Sequence, residues 1–156
     1  MQISILAVGT RMPTWVYSGV DAYSKRMPPH IQVQLAEIPA GKRTAGRDPA
    51  TAIDKEARQL LKQAESASLT LALDEAGKQW SSADLARELS DWLNHQPSVA
   101  LLIGGPDGLA ESCKQQADRL WSLSNLTLPH GLVRVVLVEQ LYRAWTILQG
   151  HPYHRS

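Results

Sequence analysis

Three short stretches of this chain carry the kinds of groups that bind ligands and move protons. The first is Gly104, Gly105, Pro106, Asp107 and Gly108, entered directly from the apolar run at residues 99–103. Glycines at a strand end permit positive φ and let backbone N–H groups approach a ligand, while Pro106 stiffens the turn. It is not a Walker loop, because no Lys-Ser/Thr follows, and its spacing is not that of a dinucleotide fingerprint. A plain strand-to-helix turn would read the same way. The second stretch is Leu123, Ser124, Asn125, Leu126, Thr127 and Leu128, closed by Pro129 and His130. Hydroxyl and amide groups alternate there with leucines, the mixture an adenosine needs: an apolar slot for the base and a few placed hydrogen bonds for its edge. An ordinary strand with solvated polar neighbours shares the pattern. The third is the C-terminal tail, Gly150 to Ser156. Tyr153 can stack on a base, His154 can move a proton, and Arg155 can hold a phosphate or a developing oxyanion. Polar chain ends are common without any such role.

Other charged groups are less specific. Lys42, Arg43 and Arg47 share one segment, and His151, His154 and Arg155 share the tail. Net charge is only +1, so any nucleic-acid partner must be argued from where the basic residues sit. A solvated surface is the plain alternative for both clusters. Arg134, Glu139 and Arg143 interrupt an otherwise apolar segment, and the i, i+4 spacing of the last two predicts a helix ion pair. His151, His154 and the single Cys113 are too few for a zinc site, so no metal is expected. Nothing matches a nucleophile elbow, a Cys–His pair or a paired-carboxylate hydrolase site.

These groups need a scaffold, and the apolar periodicity supplies one. Residues 3–8, 33–38, 69–73 and 99–103 read as strands, with a further short strand within residues 121–128. Helical spacing falls at residues 15–23, 53–64, 85–93, 109–119 and 132–148. The last is long, with an expected stripe of Leu132, Val135, Val136, Leu141, Trp145 and Leu148. Ser81 with Asp84 resembles a capping box, and Gly150 is placed to end the last helix. Residues 39–50, rich in Gly and Pro, read as a long loop. Strands alternating with helices predict an α/β fold: a mostly parallel sheet with helices on both faces and ligands at the strands' carboxyl ends.

At 156 residues, 44% hydrophobic and 20% charged, the composition is that of one globular domain spanning residues 1–156. No run approaches the roughly 20 apolar residues that cross a bilayer. The first residues lack the basic region and cleavage site of a signal peptide. One cysteine excludes an intrachain disulfide and fits a reducing cytoplasm.

Taken in order, the segments AVGTRMPTWV, EIPAGKR, LIGGPDGL, LSNLTLPH, LVRVVLVEQLYRAW and HPYHR closely resemble the ribosomal RNA large-subunit methyltransferase H family. The resemblance runs from about residue 3 to residue 155. It implies a SPOUT-class fold with a C-terminal trefoil knot, which general topology rules argue against, and a cytoplasmic homodimer. The implied donor is S-adenosylmethionine, held at Leu73, Gly105 and residues 123–128, with Gly104 and Pro106 adjoining. The implied acceptor is N3 of a pseudouridine in large-subunit ribosomal RNA, which makes the ribosome a partner. On that reading His154 assists proton removal, Arg155 stabilises the anion and Tyr153 packs on the target base. His130, Arg134, Glu139 and Arg143 are secondary candidates, and Lys42, Arg43 and Arg47 are expected phosphate contacts. A non-catalytic RNA-binding protein and a metabolic enzyme with a nucleotide cofactor are the competing classes.

Overall fold

Strands covered on both faces show continuous apolar runs instead of alternation. The runs at residues 3–8 and 99–103 are of this kind, and they lie side by side in the sheet. The computed structural model describes residues 1–155, so Ser156 of the tail lies outside the described residues. Its strands are β1 (Gln2–Val8), β2 (Gln32–Ile38), β3 (Leu69–Gln79), β4 (Ser98–Ile103) and β5 (Arg119–Ser122). They are ordered β2-β1-β4-β3-β5, and every pairing is parallel. Parallel neighbours require crossovers. Helices α1 (Thr14–Ser24), α2 (Ala50–Ala64), α3 (Ser82–His95) and α4 (Glu111–Gln116) fill them, followed by α5 (His130–Gln149) and a 3₁₀ turn at Pro152–Arg155.

The period of two along each strand divides the core. Ile3, Ile5, Leu71 and Leu101 pack with Leu85, Leu89 and Trp92 of α3 and Leu137 and Leu141 of α5. Leu6, Val8, Ala72 and Leu102 face the other way, against Ala57 and Leu60 of α2 and Cys113 of α4. Helices therefore cover both faces, as the alternation of elements predicts. The capping box is present: Asp84 N–H donates to Ser81 Oγ at 3.0 Å, and Ser81 N–H to Asp84 Oδ2 at 2.9 Å. Ser81→Ala should cost about 1 kcal/mol and lower the melting temperature by about 2–4 °C, measurable by thermal denaturation. Gly150 ends α5 in the left-handed conformation at φ 66°, also as expected.

Three local readings change. The inward stripe of α5 is Arg134, Leu137, Val138, Leu141 and Ala144; of the expected stripe only Leu141 is buried, and Leu148 is exposed. That helix is apolar on nearly every side, so periodicity does not mark which stripe faces inward, and the inward one includes a charge. Next, α4 is shorter than predicted, because Leu109 and Ala110 pack on the sheet before the helix begins. Finally, β5 stops at Ser122, and residues 123–129 form a loop. Ser122 Oγ donates to Ser124 O at 3.1 Å, and Leu126 N–H donates to Ser124 Oγ at 2.9 Å. Such local bonds compete with the strand ladder.

The buried Arg134 has partners distant in sequence. Its guanidinium donates to Val8 O (3.2 Å), Gly9 O (2.9 Å) and the Glu37 carboxylate. Glu37 also accepts from Tyr17 Oη at 2.9 Å, and that hydroxyl accepts from Met12 N–H at 3.0 Å. Arg134 thus ties the carboxyl ends of β1 and β2 to the start of α5.

Candidate active site

In an open parallel sheet, crevices form beyond the carboxyl ends of the strands. Here a cavity of about 690 Å³ opens beyond β3, β4 and β5, within the size range of small-molecule sites. Its floor is the turn after β4. There Gly108 N–H donates to Gly105 O at 3.0 Å, and Gly108 has φ +77°. The turn is packed so closely that a Cβ on Gly104 would sit 2.4 Å from the carbonyl carbon of Gly108. A Cβ on Gly105 would sit 2.8 Å from Val8 Cγ1. The glycines are therefore needed for the close approach of backbone to backbone, independently of any ligand.

The side walls come from three segments. β3 pairs with β5 through Leu73–Trp121, breaks register, and resumes at Lys78–Trp121. The intervening excursion carries Asp74 and Glu75 into the cavity wall. The loop after β5 contributes Leu123, Ser124, Leu126, Thr127 and Leu128, and Thr127 Oγ1 donates to Glu75 Oε1 at 3.0 Å. The first turn of α5 adds His130 and Val133. Burial, and then the neighbouring Arg134 charge, hold the His130 pKa below the ordinary histidine value, so its ring is neutral near pH 7.

Leu73, Gly104, Gly105, Leu123, Ser124, Leu126, Thr127 and Leu128 are thus brought together around one cavity. Asn125 is exposed and outside the lining, and its Oδ1 accepts from Gln79 Nε2 at 2.6 Å. The sequence reading missed Asp74, Glu75 and Lys114, all in the wall. Asp74 and Glu75 directly follow Leu73, a charged pair at a strand end, and that was a usable signal. Lys114 carries none, since only the packing of α4 aims it inward.

Arg43 does not stand free for a phosphate. Its guanidinium donates to both oxygens of Glu56, at 2.7 and 3.2 Å, and to Asp107 of the glycine turn at 2.6 Å. Glu56 is 2% exposed and also accepts from Gly41 N–H at 2.7 Å. Bonds to Glu56, then to Asp107, outweigh burial and raise the Arg43 pKa further. Arg43 therefore fastens residues 39–49 to the cavity floor, leaving Lys42 and Arg47 as the exposed cations of that loop.

The tail lies elsewhere. Tyr153 Oη donates to Glu139 Oε1 at 3.0 Å, and its ring meets Tyr142 edge-on at 4.7 Å. The predicted Glu139–Arg143 pair exists at 2.7 Å, and the Arg143 guanidinium lies 5.1 Å from the Tyr153 ring centre. Burial, with bonds to Tyr23 and Glu139, pushes the Tyr153 phenol upward, so it stays protonated. His154 Nδ1 is buried without a hydrogen-bond partner among the described residues, and Arg155 is exposed. The tail follows the last turn of the 20-residue α5, whereas His130 lines the cavity from its first. The tail then doubles back along α5, because Tyr153 bonds Glu139, nine residues beyond His130 or about 14 Å along the axis at 1.5 Å per residue. Among the described residues, none of the tail lines the cavity.

Among the described residues no group of three or more His, Cys, Asp or Glu is placed to hold a metal ion, and no helix is long and apolar enough to cross a membrane.

A glycine turn and a polar-leucine loop flank a cavity beyond a parallel sheet, and comparison with known proteins gives the class. A family model described as a predicted SPOUT methyltransferase matches residues 1–154. Solved structures similar in fold include a probable methylase family protein from Haemophilus influenzae, with a TM-score of 0.62 and 12% identity. That match covers 97% of this chain and 69% of the other. Another is a Legionella pneumophila protein in complex with the bound cofactor SAM, with a TM-score of 0.52 and 14% identity. It covers 92% of this chain and 66% of the other. Curated relatives include the ribosomal RNA large subunit methyltransferase H of Alkalilimnicola ehrlichii, 52% identical over 156 residues and all of both chains. That of Saccharophagus degradans is 52% identical over 155 residues, 99% of this chain and all of the other. The chain belongs to the ribosomal RNA large subunit methyltransferase H family of SPOUT methyltransferases.

Proposed function

We propose that this enzyme transfers the methyl group of S-adenosylmethionine to N3 of a pseudouridine in large-subunit ribosomal RNA. In this reading it is a single cytoplasmic domain, knotted in its C-terminal part, and works as a homodimer. The observation that carries it is the cavity framed by the glycine turn and the loop at residues 123–128. Its leucines suit a purine, its backbone and hydroxyl groups suit a base edge, and the glycines leave no side chain in the way. The donor, when bound, supplies an electrophilic methyl group on a sulfonium.

The protein's residues must then position and deprotonate the acceptor. N3 of pseudouridine is an imide nitrogen, poorly nucleophilic until its proton leaves. Holding acceptor and methyl in line supplies much of the rate, and an anion-stabilising cation and a base near N3 supply more. Tyr153, His154 and Arg155 are assigned these tasks: packing on the base, taking the proton and stabilising the anion. Tyr153 is already held by Glu139 and Tyr142, and His154 Nδ1 has its hydrogen-bonding capacity unspent.

The absence of described tail residues from the cavity lining supports the homodimer, in which one copy's tail serves the other's cavity. Further support is the outer side of α5, where Leu132 and Val136 are only partly buried by their own chain. Mixed dimers of a cavity variant and a tail variant should regain activity; inactive mixtures would count against a shared site.

Lys42 and Arg47 are assigned to RNA phosphates. Removing both charges should weaken RNA binding and reduce the slope of log affinity against log salt by about 1.4–1.8, as measured by binding titrations at several salt concentrations.

The decisive experiment is transfer from radiolabelled S-adenosylmethionine to ribosomes lacking the endogenous modification, followed by mapping of the labelled base. Label on N3 of a pseudouridine is expected. Intact donor binding with no label on ribosomes, subunits or free RNA would overturn the substrate assignment.

A further inference from the structure

One side of the cavity wall is charged. Lys114 Nζ of α4 lies 3.3 Å from Asp74 Oδ1 of the β3 excursion, and both side chains line the cavity. They are only 23% and 20% exposed. The other charged groups of the wall are already engaged: Asp107 accepts from Arg43, and Glu75 accepts from Thr127. Lys114 has a second, longer contact of 3.5 Å to Glu111, which leaves donor capacity on the ammonium. Asp74 accepts one backbone bond, from Ala76 N–H at 3.3 Å to Oδ2, and keeps further lone pairs. A half-buried ion pair opening onto a cavity is matched by a ligand end that carries both charges. An α-ammonium can take the place of Lys114 against Asp74, while the α-carboxylate takes the place of Asp74 against Lys114. One ion pair becomes two, and no net charge is added to the site.

We propose that Asp74 and Lys114 form the subsite for the amino-acid end of the donor, Asp74 receiving the α-ammonium and Lys114 the α-carboxylate. This rests on reading the cavity as the donor site. Lys114 suits the part chemically: burial opposes its charge, but the bond to Asp74 and the charges of Asp74 and Glu111 outweigh it, so the ammonium persists. The subsite would anchor the donor by its amino-acid end. It would also discriminate against adenosine derivatives that lack an amino acid.

Calorimetric titration of the full chain with S-adenosylhomocysteine and with 5′-methylthioadenosine, which lacks the amino-acid end, tests this. The wild type should bind S-adenosylhomocysteine at least about tenfold more tightly, as expected for charge-assisted hydrogen bonds. Lys114→Met and Asp74→Asn should each lose most of that preference while binding 5′-methylthioadenosine as the wild type does. The retained affinity shows that the variant cavity is folded. Equal affinity of the wild type for both ligands would overturn the subsite, whatever the variants do. Parallel losses for both ligands in the variants would show that the ion pair only braces α4. Wild-type protein that binds neither ligand would overturn the donor reading itself, and the subsite with it.

Discussion

Gly104→Ala should abolish methyl transfer, with the loss falling at donor binding. A Cβ at residue 104 would lie 2.4 Å from Gly108 C, 2.6 Å from Leu109 N and 2.7 Å from Gly108 O. All three are backbone atoms, so no side chain can rotate away and the turn itself must open. Opening moves Gly105 and Gly108, whose 3.0 Å hydrogen bond closes the turn, and drags on Asp107, which is anchored to Arg43. Donor affinity should fall by more than about a hundredfold, because a site displaced by an ångström loses several aligned contacts at once. Overpacking should also cost about 1–3 kcal/mol of stability. Gly131→Ala is the control. It lies at the start of α5 close to the site, but its added Cβ meets only Val16 Cγ2 at 3.4 Å and Met12 Sδ at 3.5 Å. It should melt and bind much as the wild type does. Calorimetry with S-adenosylmethionine reads both variants, and a Gly104→Ala protein of wild-type affinity would refute this account of the turn.

The second large effect is on stability. Arg134→Met should cost about 3–5 kcal/mol, the range for breaking a buried pair from one side, and lower the melting temperature by about 10 °C. The side chain is 0% exposed, and methionine nearly fills its volume, so the cost is electrostatic. Glu37 loses its guanidinium partner while still accepting from Tyr17, and the Val8 and Gly9 carbonyls lose their donor. Adding Glu37→Gln should recover part of the loss, because the stranded charge is then gone; the coupling comes from the double-mutant cycle. Urea denaturation of the four proteins measures it. A single variant with an unchanged midpoint would mean that the network is not what joins β1, β2 and α5.

Part of the cavity lining was legible before the fold, and its geometry was not. GGPDG stood out because glycines cluster where backbone must pass close to backbone, which is a covalent property of the residue. LSNLTL stood out because polar groups alternate with leucines. Its conformation was not legible, since alternation describes a strand as well as a loop, and only the bonds of Ser122 and Ser124 decide for a loop. Asp74 went unread because a carboxylate after a strand usually faces water; here a register break turns it inward. Arg43 looked like its neighbours Lys42 and Arg47. What separates it is Glu56, thirteen residues away on α2, and Asp107, sixty-four away.

By itself, the sequence determined the element order, the parallel α/β class, the capping box at Ser81, the left-handed stop at Gly150 and two of the segments that line the cavity. These follow from short-range physics: side-chain period, backbone freedom at glycine and local hydrogen bonding. Tertiary structure alone decided which stripe of α5 faces inward, which cations are spent within the fold, and that the tail folds back on α5 without lining the cavity. Those outcomes depend on partners distant in the chain, and no local pattern records a charge's partner when that partner lies on another element.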